Sequence, residues 1–229
     1  MLSRIRGFIV LIQFSLTVAI VVVAMYIFKN KAHEIIKIWM KVQVYLLGIK
    51  FDIQGEVDES CDMILMNHQS LLDIIVMEHL HSRHLAWVAK KEINDLFFFG
   101  HIIKAPKMIS IDRENKAGII HLLKESKDRL SKGRPIAMFP EGTRSDGKKM
   151  LKFKSGAQMV ANKLNLKVQP AVILNTRQIL DSKNLKQKPG VVKVIFLDSV
   201  QAKKGTPWFE EMEKQMNKVF DDEIKKNDS

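Results

Sequence analysis

The sequence predicts an α/β fold in which a mostly parallel or mixed sheet is covered by helices, preceded by an N-terminal membrane-associated helical segment. Three observations support this prediction. Short apolar runs alternate with helical patterns beyond residue 50, the strand-like runs are almost continuously hydrophobic, and the chain begins with a long uncharged stretch. Alternating strands and helices are typical of α/β domains, and strands without a polar face indicate burial on both sides of the sheet.

The first segment has the length and composition of a membrane helix. Residues 7–28, GFIVLIQFSLTVAIVVVAMYIF, carry no charge, and a helix that crosses a bilayer needs about 20 mainly apolar residues. A signal peptide is the alternative, because Arg4 and Arg6 precede the run. Its apolar part is usually only about 7–15 residues long and ends at a small-x-small site, which does not follow here. We expect a retained anchor at the cell inner membrane, and the lysines after it favour a cytoplasmic location for the remaining chain.

The next segment, residues 32–50, has an amphipathic helical pattern with lysines between its apolar residues. Trp39 and Tyr45 combine a ring with a polar tip, as is favoured at lipid headgroups. This helix either lies in the membrane interface or packs on the folded domain, because an apolar stripe is the same in both cases. We assign residues 1–50 to an N-terminal membrane-anchoring segment and residues 51–229 to one α/β domain.

The elements of the domain are predicted from their patterns in chain order. The predicted strands are MILM (63–66), LAWVA (85–89), PIAMF (135–139), VQPAVIL (168–174) and VVKVIFL (191–197). The predicted helices are LLDIIVMEHL (71–80), GIIHLLKESKDRLSKG (118–133), AQMVANKLN (157–165) and a terminal segment over 207–226. No internal repeat, low-complexity tract or long linker divides this region, which supports a single domain.

Charge and cysteine content limit the partners and the compartment. The chain has 37 Lys and Arg against 25 Asp and Glu, a net charge of +12, which attracts nucleic acid, anionic membranes, acidic proteins or phosphorylated metabolites alike. No helix-turn-helix, zinc-finger or aromatic-platform pattern is present, so nucleic acid is not expected as a partner. Cys61 is the sole cysteine. It forms no internal disulfide, and we expect it to be inert and the protein to be compatible with a reducing compartment.

The stretch NHQSLLD, residues 67–73, places an imidazole and a carboxylate five residues apart. Within one continuous helix the two side chains would point about 140° apart, so His68 must precede the helix if they are to meet. Ser70 as N-cap with an acid three residues later has the form of a capping box. Asp73 then lies in the first turn, within reach of His68, where it would fix the ring tautomer and leave a base for neutral pH. The alternative is that Asp73 only caps the helix and His68 is an ordinary loop residue.

A second stretch, FPEGTRS at residues 139–145, has the composition of an anion-binding turn. Gly142 permits close approach of the backbone, Thr143 supplies a hydroxyl, and Arg144 supplies a planar fork matched to phosphate oxygens. Taken alone, such a stretch is more often a solvated loop between a strand and a helix.

Together the two stretches resemble signature blocks of the glycerolipid acyltransferase family, specifically of bacterial 1-acylglycerol-3-phosphate acyltransferases. Residues 88–113 resemble the block between them, and the resemblance covers roughly residues 50–175. An N-terminal membrane-associated helical segment is also usual in that family. Two departures concern the substrate pockets: Leu96-Phe97 stands where a proline is common, and residues 168–171 read VQPA where the family has V-x-P-V.

The resemblance implies transfer of a fatty acyl group from acyl-CoA or acyl carrier protein to the 2-hydroxyl of 1-acylglycerol 3-phosphate (lysophosphatidic acid), giving phosphatidic acid. It implies that His68 is the catalytic base and that Asp73 orients it. It also implies a set of substrate-binding residues: Asn67, Lys90, Lys91, Arg113, Glu141, Gly142, Thr143 and Arg144. For Glu141 we expect a role in orienting Arg144 or binding a glycerol hydroxyl, and for Lys90 and Lys91 a contact with the donor. No metal or cofactor is expected, and membrane lipids are expected partners.

Two rival functions remain open on the sequence. The acceptor is alternatively glycerol 3-phosphate or another lysophospholipid, because the same base and phosphate site would serve. The rival from another class is a non-catalytic, basic, membrane-anchored protein that binds polyanions, which would show salt-sensitive binding and no turnover. A histidine cluster, EHLHSRHL at residues 78–85, suggests a zinc site, but without a cysteine or a well-spaced acid a polar helix end is the preferred interpretation.

Overall fold

The structure is a computed structural model that describes residues 1–97, 100–112 and 116–228. Its helices are α1 (Leu2–Ile27), α2 (Ala32–Leu46), α3 (Leu72–Leu80), α4 (Lys91–Asn94), α5 (His101–Lys104), α6 (Lys116–Ser131), α7 (Ser155–Leu164), α8 (Thr176–Ile179) and α9 (Trp208–Asp228). Its strands are β1 (Ile49–Gln54), β2 (Met63–Met66), β3 (Ala86–Lys90), β4 (Ile109–Ile111), β5 (Ile136–Met138), β6 (Lys167–Leu174), β7 (Leu180–Asp181), β8 (Lys186–Gln187), β9 (Gly190–Phe196) and β10 (Val200–Gln201).

One mixed sheet forms the centre of the molecule. Within the described residues it has eight strands in the order β1-β9-β6-β2-β5-β3-β4, with β10 also paired to β6. Strands β2 to β6 are mutually parallel. Strand β9 pairs antiparallel to β6, and β1 pairs parallel to β9. The predicted α/β class with a mostly parallel or mixed sheet is therefore confirmed.

Burial on both faces of the sheet explains the continuous apolar runs. All four residues of β2 are buried, with Ile64 and Met66 in the core that includes α1, α2 and α3. Met63 and Leu65 alternate with them and belong to the second core, which contains residues of α6, α7 and α9. Because side chains alternate across a strand, a strand covered by helices on both faces has no polar period.

Helix α1 packs along the domain through one face. Val18, Val22 and Met25 are buried in the first core, while Phe8 and Ile20 on the outward face remain exposed. By length and composition α1 is able to cross a membrane, and it is the one such helix in the described part of the chain. The N-terminal apolar helix predicted from the sequence is therefore present.

Helix α2 packs on the domain, which was one of the two alternatives for this segment. Trp39 is 5% exposed and its ring lies 5.1 Å from that of Phe14 on α1, so it does not occupy a headgroup position. Tyr45 is 83% exposed on the opposite face, next to the exposed Leu46. The helix thus has two apolar faces, one against protein and one outward.

The parallel strands bring their carboxyl ends to one edge of the sheet, where ligands bind in open α/β sheets. The loop after β2 contains His68, the loop after β5 contains the 141–145 turn, and β6 leads into the short helix α8. A hairpin of β7 and β8 follows α8 and returns to α1, where Gly7 lies directly against Leu185. This hairpin therefore connects the functional edge with the N-terminal helix.

Candidate active site

The loop between β2 and α3 holds a histidine against a fully buried carboxylate. His68 Nδ1 lies 2.7 Å from Asp73 Oδ2, and the Asp73 side chain has no exposed surface. The same oxygen accepts the backbone N–H groups of Gln69 at 2.7 Å and Ser70 at 2.9 Å, while Oδ1 accepts the hydroxyl of Thr176. The predicted contact between the ring and the acid is present, and the surrounding donors fix the carboxylate.

The orientation of the His68 ring is fixed from a second direction. The ring stacks on Phe139 with centroids 3.8 Å apart and an interplanar angle of 8°. Because Nδ1 is hydrogen-bonded to the carboxylate, its proton stays on that side and Nε2 is left as the acceptor. Nε2 has no hydrogen-bond partner among the residues the structure describes, and the side chain is 13% exposed. This geometry suits a general base.

Ser70 has a structural role in this loop. Its hydroxyl donates to the Leu180 carbonyl at 2.6 Å and accepts the Leu72 N–H at 3.2 Å. Only one half of the predicted capping box is formed: the Ser70 N–H donates to Asp73, whereas the Asp73 N–H donates to the Ser70 carbonyl and not to its hydroxyl. Helix α3 begins at Leu72 with Leu71 as its N-cap, one residue later than predicted. A hydroxyl used in this way is not available as a nucleophile.

Glu141 joins the two functional loops. It is 1% exposed, and its Oε1 accepts the His68 N–H at 2.6 Å while Oε2 accepts the Leu151 N–H at 2.7 Å. A third bond, from the Ser145 N–H to the His68 carbonyl at 2.8 Å, closes the same junction. Burial raises the pKa of Glu141 to about 7, and the neighbouring Asp73 carboxylate acts in the same direction, whereas the two amide donors lower it.

These contacts correct one expectation. Glu141 was predicted to orient Arg144, but in the structure its two oxygens accept backbone amides. The alternative role, binding of a glycerol hydroxyl, stays a prediction. Arg144 donates instead to the Ser182 hydroxyl of the β7–β8 turn at 3.0 Å. The reason is that the carboxylate lies inside the loop junction while the arginine is exposed outside it.

The 141–145 turn has the backbone shape that its sequence predicts. Gly142 has φ 75°, in the left-handed region that favours glycine, and its N–H donates to the Phe139 carbonyl at 3.0 Å. Thr143 and Arg144 are exposed at the tip. Arg144 lines a pocket of about 280 Å³ beside the loop of residues 67–71, together with Gln69.

The remaining predicted residues are less directly placed. Asn67 is buried and its amide pairs with both backbone groups of Ile173, at 2.7 and 2.8 Å, which ties the loop to β6. Lys90 and Lys91 lie at the carboxyl end of β3, where they pair with Glu92 at 2.6 Å and Asp112 at 3.8 Å. Their roles in substrate binding stay predictions. Arg113, like Phe98 and Phe99 of the middle block, lies outside the described residues.

Cys61 lies just before β2, as expected, and is fully buried. Burial raises the pKa of its thiol to about 12, which makes it a poor nucleophile at neutral pH. In the described part of the chain no group of three or more His, Cys, Asp or Glu side chains is arranged to hold a metal ion.

Two residues of this site were missed by the sequence reasoning. The Thr176 hydroxyl donates to Oδ1 of Asp73, although the two residues are 103 positions apart in the chain. The next residue, Arg177, lines the pocket. Neither belongs to the resembled blocks. The only local signal was their position directly after a buried strand, at the edge where polar loops collect.

Comparison with known proteins identifies the chain as an acyltransferase. A family model described as "Acyltransferase" matches residues 57–174, more than half of the chain, and this protein belongs to that family.

Curated relatives and a solved structure agree with this assignment. A 1-acyl-sn-glycerol-3-phosphate acyltransferase of Helicobacter pylori is 41% identical over 177 residues, covering 76% of this chain and 75% of that protein. A protein of the same name from Cocos nucifera is 29% identical, covering 75% of this chain and 55% of its own length. The crystal structure of the 1-acyl-sn-glycerophosphate acyltransferase PlsC from Thermotoga maritima has the same fold, with a TM-score of 0.74, 23% identity and coverage of 100% of this chain and 95% of that one.

Proposed function

We propose that this protein transfers a fatty acyl group from a thioester donor to the 2-hydroxyl of 1-acylglycerol 3-phosphate, forming phosphatidic acid for phospholipid biosynthesis. The observation that carries the proposal is the 2.7 Å contact between His68 and the buried Asp73, next to the pocket that Arg144 lines. The names of the Helicobacter and Cocos relatives support the choice of reaction and acceptor.

The chemistry follows from the tautomer of the ring. His68 Nε2 accepts the proton of the acceptor hydroxyl while the oxygen forms a bond to the thioester carbonyl carbon. Asp73 stabilises the imidazolium that results. The C–S bond then breaks, and the imidazolium returns its proton to the thiolate. The products are an ester and a free thiol, and no acyl-enzyme is formed.

Substrate binding is proposed on the following assignments. The phosphate of the acceptor is bound by Arg144, with Gly142 and Thr143 of the same turn and with Arg113 as a second cation. The donor is acyl-CoA or acyl carrier protein, and its phosphate-containing part contacts Lys90 and Lys91. The +12 net charge supports attraction of either donor. No metal, further cofactor or nucleic acid is required.

Association with the membrane supports access to a lipid acceptor. We infer that α1 lies in the lipid along the domain rather than crossing the bilayer alone, because its buried face runs from Gly7 to Met25 against protein. Its outward face and the exposed Tyr45 side of α2 then contact the lipid. We further propose the cytoplasmic face of the inner membrane as the location, since lysines follow the apolar run.

The test is thiol release from an acyl thioester in the presence of lysophosphatidic acid. We expect His68→Ala to reduce turnover by at least a factor of about 100, since a general base contributes about 10²–10⁴. His121→Ala, at an exposed histidine of α6, is the matched control. Crossing CoA and carrier-protein donors with glycerol 3-phosphate and other lysophospholipids identifies the donor and acceptor. Unchanged turnover in His68→Ala would exclude His68 as the base, and polyanion binding without any turnover would exclude the proposed reaction.

A further inference from the structure

The pocket beside the catalytic loop, residues 67–71, is lined by two cations that lie outside the resembled blocks. Arg144 comes from the 141–145 turn, whereas Arg177 comes from α8 and Lys183 from the β7–β8 turn. Among the described residues, Asp146 is the one acidic residue that lines it, and Asp181 lies behind Arg177 at 3.7 Å. Three positive and two negative side chains leave a net positive charge, which attracts a phosphate monoester with a charge close to −2 at neutral pH.

The two arginines are held by contacts that leave them in the lining of the pocket. Arg144 donates to Ser182, and Arg177 donates to the Ser145 carbonyl at 3.4 Å and lies 3.7 Å from Asp181. The long distances of Arg177 indicate weak protein contacts, and the guanidinium retains donors for a ligand. The pocket adjoins the loop that carries His68, since the next residue, Gln69, lines it and the Ser145 N–H donates to the His68 carbonyl.

An apolar groove begins where this pocket ends. Both cavities share Leu180 and Ser182 in their lining. The groove lies between α1, with Leu11 and Phe14, and the hairpin, with Leu185, and it passes the catalytic loop at Leu71. Its volume of about 70 Å³ holds only the first part of an acyl chain. Beyond it the exposed apolar face of α1 continues into the region assigned to lipid.

The geometry points to a binding mode for the acceptor that uses residues outside the family motifs. We propose that Arg177 and Lys183 bind the phosphate of lysophosphatidic acid together with Arg144, and that its acyl chain leaves along the groove between α1 and the β7–β8 hairpin. This inference rests on the proposed function. It also explains why one short helix carries both Thr176, which holds Asp73, and Arg177: the base and the phosphate site are aligned by the same four residues.

The phosphate part is tested with Arg177→Gln and Lys183→Met. We expect the KM for lysophosphatidic acid to rise about tenfold in each, as for loss of one charge-assisted hydrogen bond, with the KM for the acyl donor unchanged. Lys188→Met removes an exposed lysine just beyond the hairpin and is the matched control. Arg177→Lys, which keeps the charge, should restore part of the affinity. An unchanged acceptor KM, or a rise in donor KM instead, would overturn the proposal.

The chain route is tested with Leu11→Trp, which fills the groove, against Leu16→Trp on the exposed face of α1. We expect Leu11→Trp to reduce turnover of both palmitoyl and hexanoyl acceptors at least fivefold, because both chains pass through the groove, while Leu16→Trp leaves both unchanged. Equal effects of the two variants, or an effect that follows the donor chain length, would overturn this route. Absence of acyl transfer in the unmodified protein would instead contradict the proposed function, so the two failures are distinguishable.

Discussion

At the scale of single residues, the site depends on how a buried carboxylate is kept fully hydrogen-bonded. Asp73 accepts from His68, Gln69, Ser70 and Thr176. A buried charged group left without one of its partners costs more than the net value of the lost hydrogen bond. The remote donor Thr176 therefore supports the His68–Asp73 pair as much as the motif residues do.

We predict that Thr176→Val lowers kcat about tenfold, because Oδ1 of Asp73 loses its donor and the carboxylate no longer fixes the His68 ring. Thr176→Ser keeps the hydroxyl and should remain close to the unmodified enzyme. Steady-state kinetics distinguish this effect on kcat from an effect on substrate binding, because the KM for either substrate should change little. A variant with unchanged kcat would show that the bond does not position the base.

Glu141 gives a prediction about pH. Its pKa of about 7 lies above the ordinary value of 4.5, so the folded protein holds this proton to higher pH than the unfolded chain. The contribution to the free energy of unfolding is therefore complete below pH 4.5 and is lost as the pH rises to about 7, on the order of 3 kcal/mol. In Glu141→Gln this fall in the free energy of unfolding with rising pH should be absent. Denaturant unfolding at several pH values compares the two proteins, and identical pH dependence would contradict the assignment.

At the scale of elements, the contact between α1 and the β7–β8 hairpin connects the membrane segment to the site. A Cβ atom at Gly7 would lie 2.1 Å from the Leu185 carbonyl oxygen, a distance at which the backbone must shift. The glycine is thus required by close approach rather than by its own backbone angles. A shift of the backbone at this contact would also move residues 180–186, which line both the pocket and the groove.

We predict that Gly7→Ala lowers the free energy of unfolding by about 1–3 kcal/mol, the usual cost of overpacking. Gly156→Ala makes the same change on α7, where an added Cβ meets nothing within 4 Å. It should be neutral or stabilising by about 0.5–1 kcal/mol, because alanine is favoured in helices. Thermal unfolding in detergent measures both variants. Equal stability of the two would show that α1 does not pack on the hairpin at Gly7.

At the scale of the whole molecule, two forces are available to hold the protein on a membrane. One is burial of the outward face of α1, and the other is the attraction of a +12 chain to anionic lipid. Salt screens only the second, since the Debye length falls to about 3 Å at 1 M.

We predict that the unmodified protein stays bound to anionic vesicles at 1 M salt, whereas a Leu16→Glu, Ile20→Glu double variant is released. Both positions are exposed and apolar on α1. The control is Gln201→Glu with Gln215→Glu, which adds the same charge at exposed polar positions. Vesicle flotation at low and high salt measures binding. Release of the unmodified protein at high salt would show that apolar burial is not the main force.

The sequence alone determined the features that are written in local periodicity and short motifs. Apolar runs such as MILM identified the central strands, because burial on both faces removes every polar position. The spacing of His68 and Asp73 allowed an acid–imidazole pair, and the resemblance of the NHQSLLD block to the acyltransferase family favoured it over simple capping; the 2.7 Å contact confirms the pair. Strand β1 has mixed burial and β4 has only three residues. Neither has a clear apolar pattern, so neither was predicted.

Only the tertiary structure decided which distant residues complete the site. Thr176, Arg177 and Lys183 reach it because β6 ends beside β2 in the parallel sheet, and nothing in their own stretch of sequence records that neighbour. The same holds for Glu141, whose burial between two loops replaced the expected contact with Arg144. Local sequence determines which elements form, whereas contacts between residues far apart in the chain depend on how the sheet orders the strands, and that order is not visible in the pattern of any one segment.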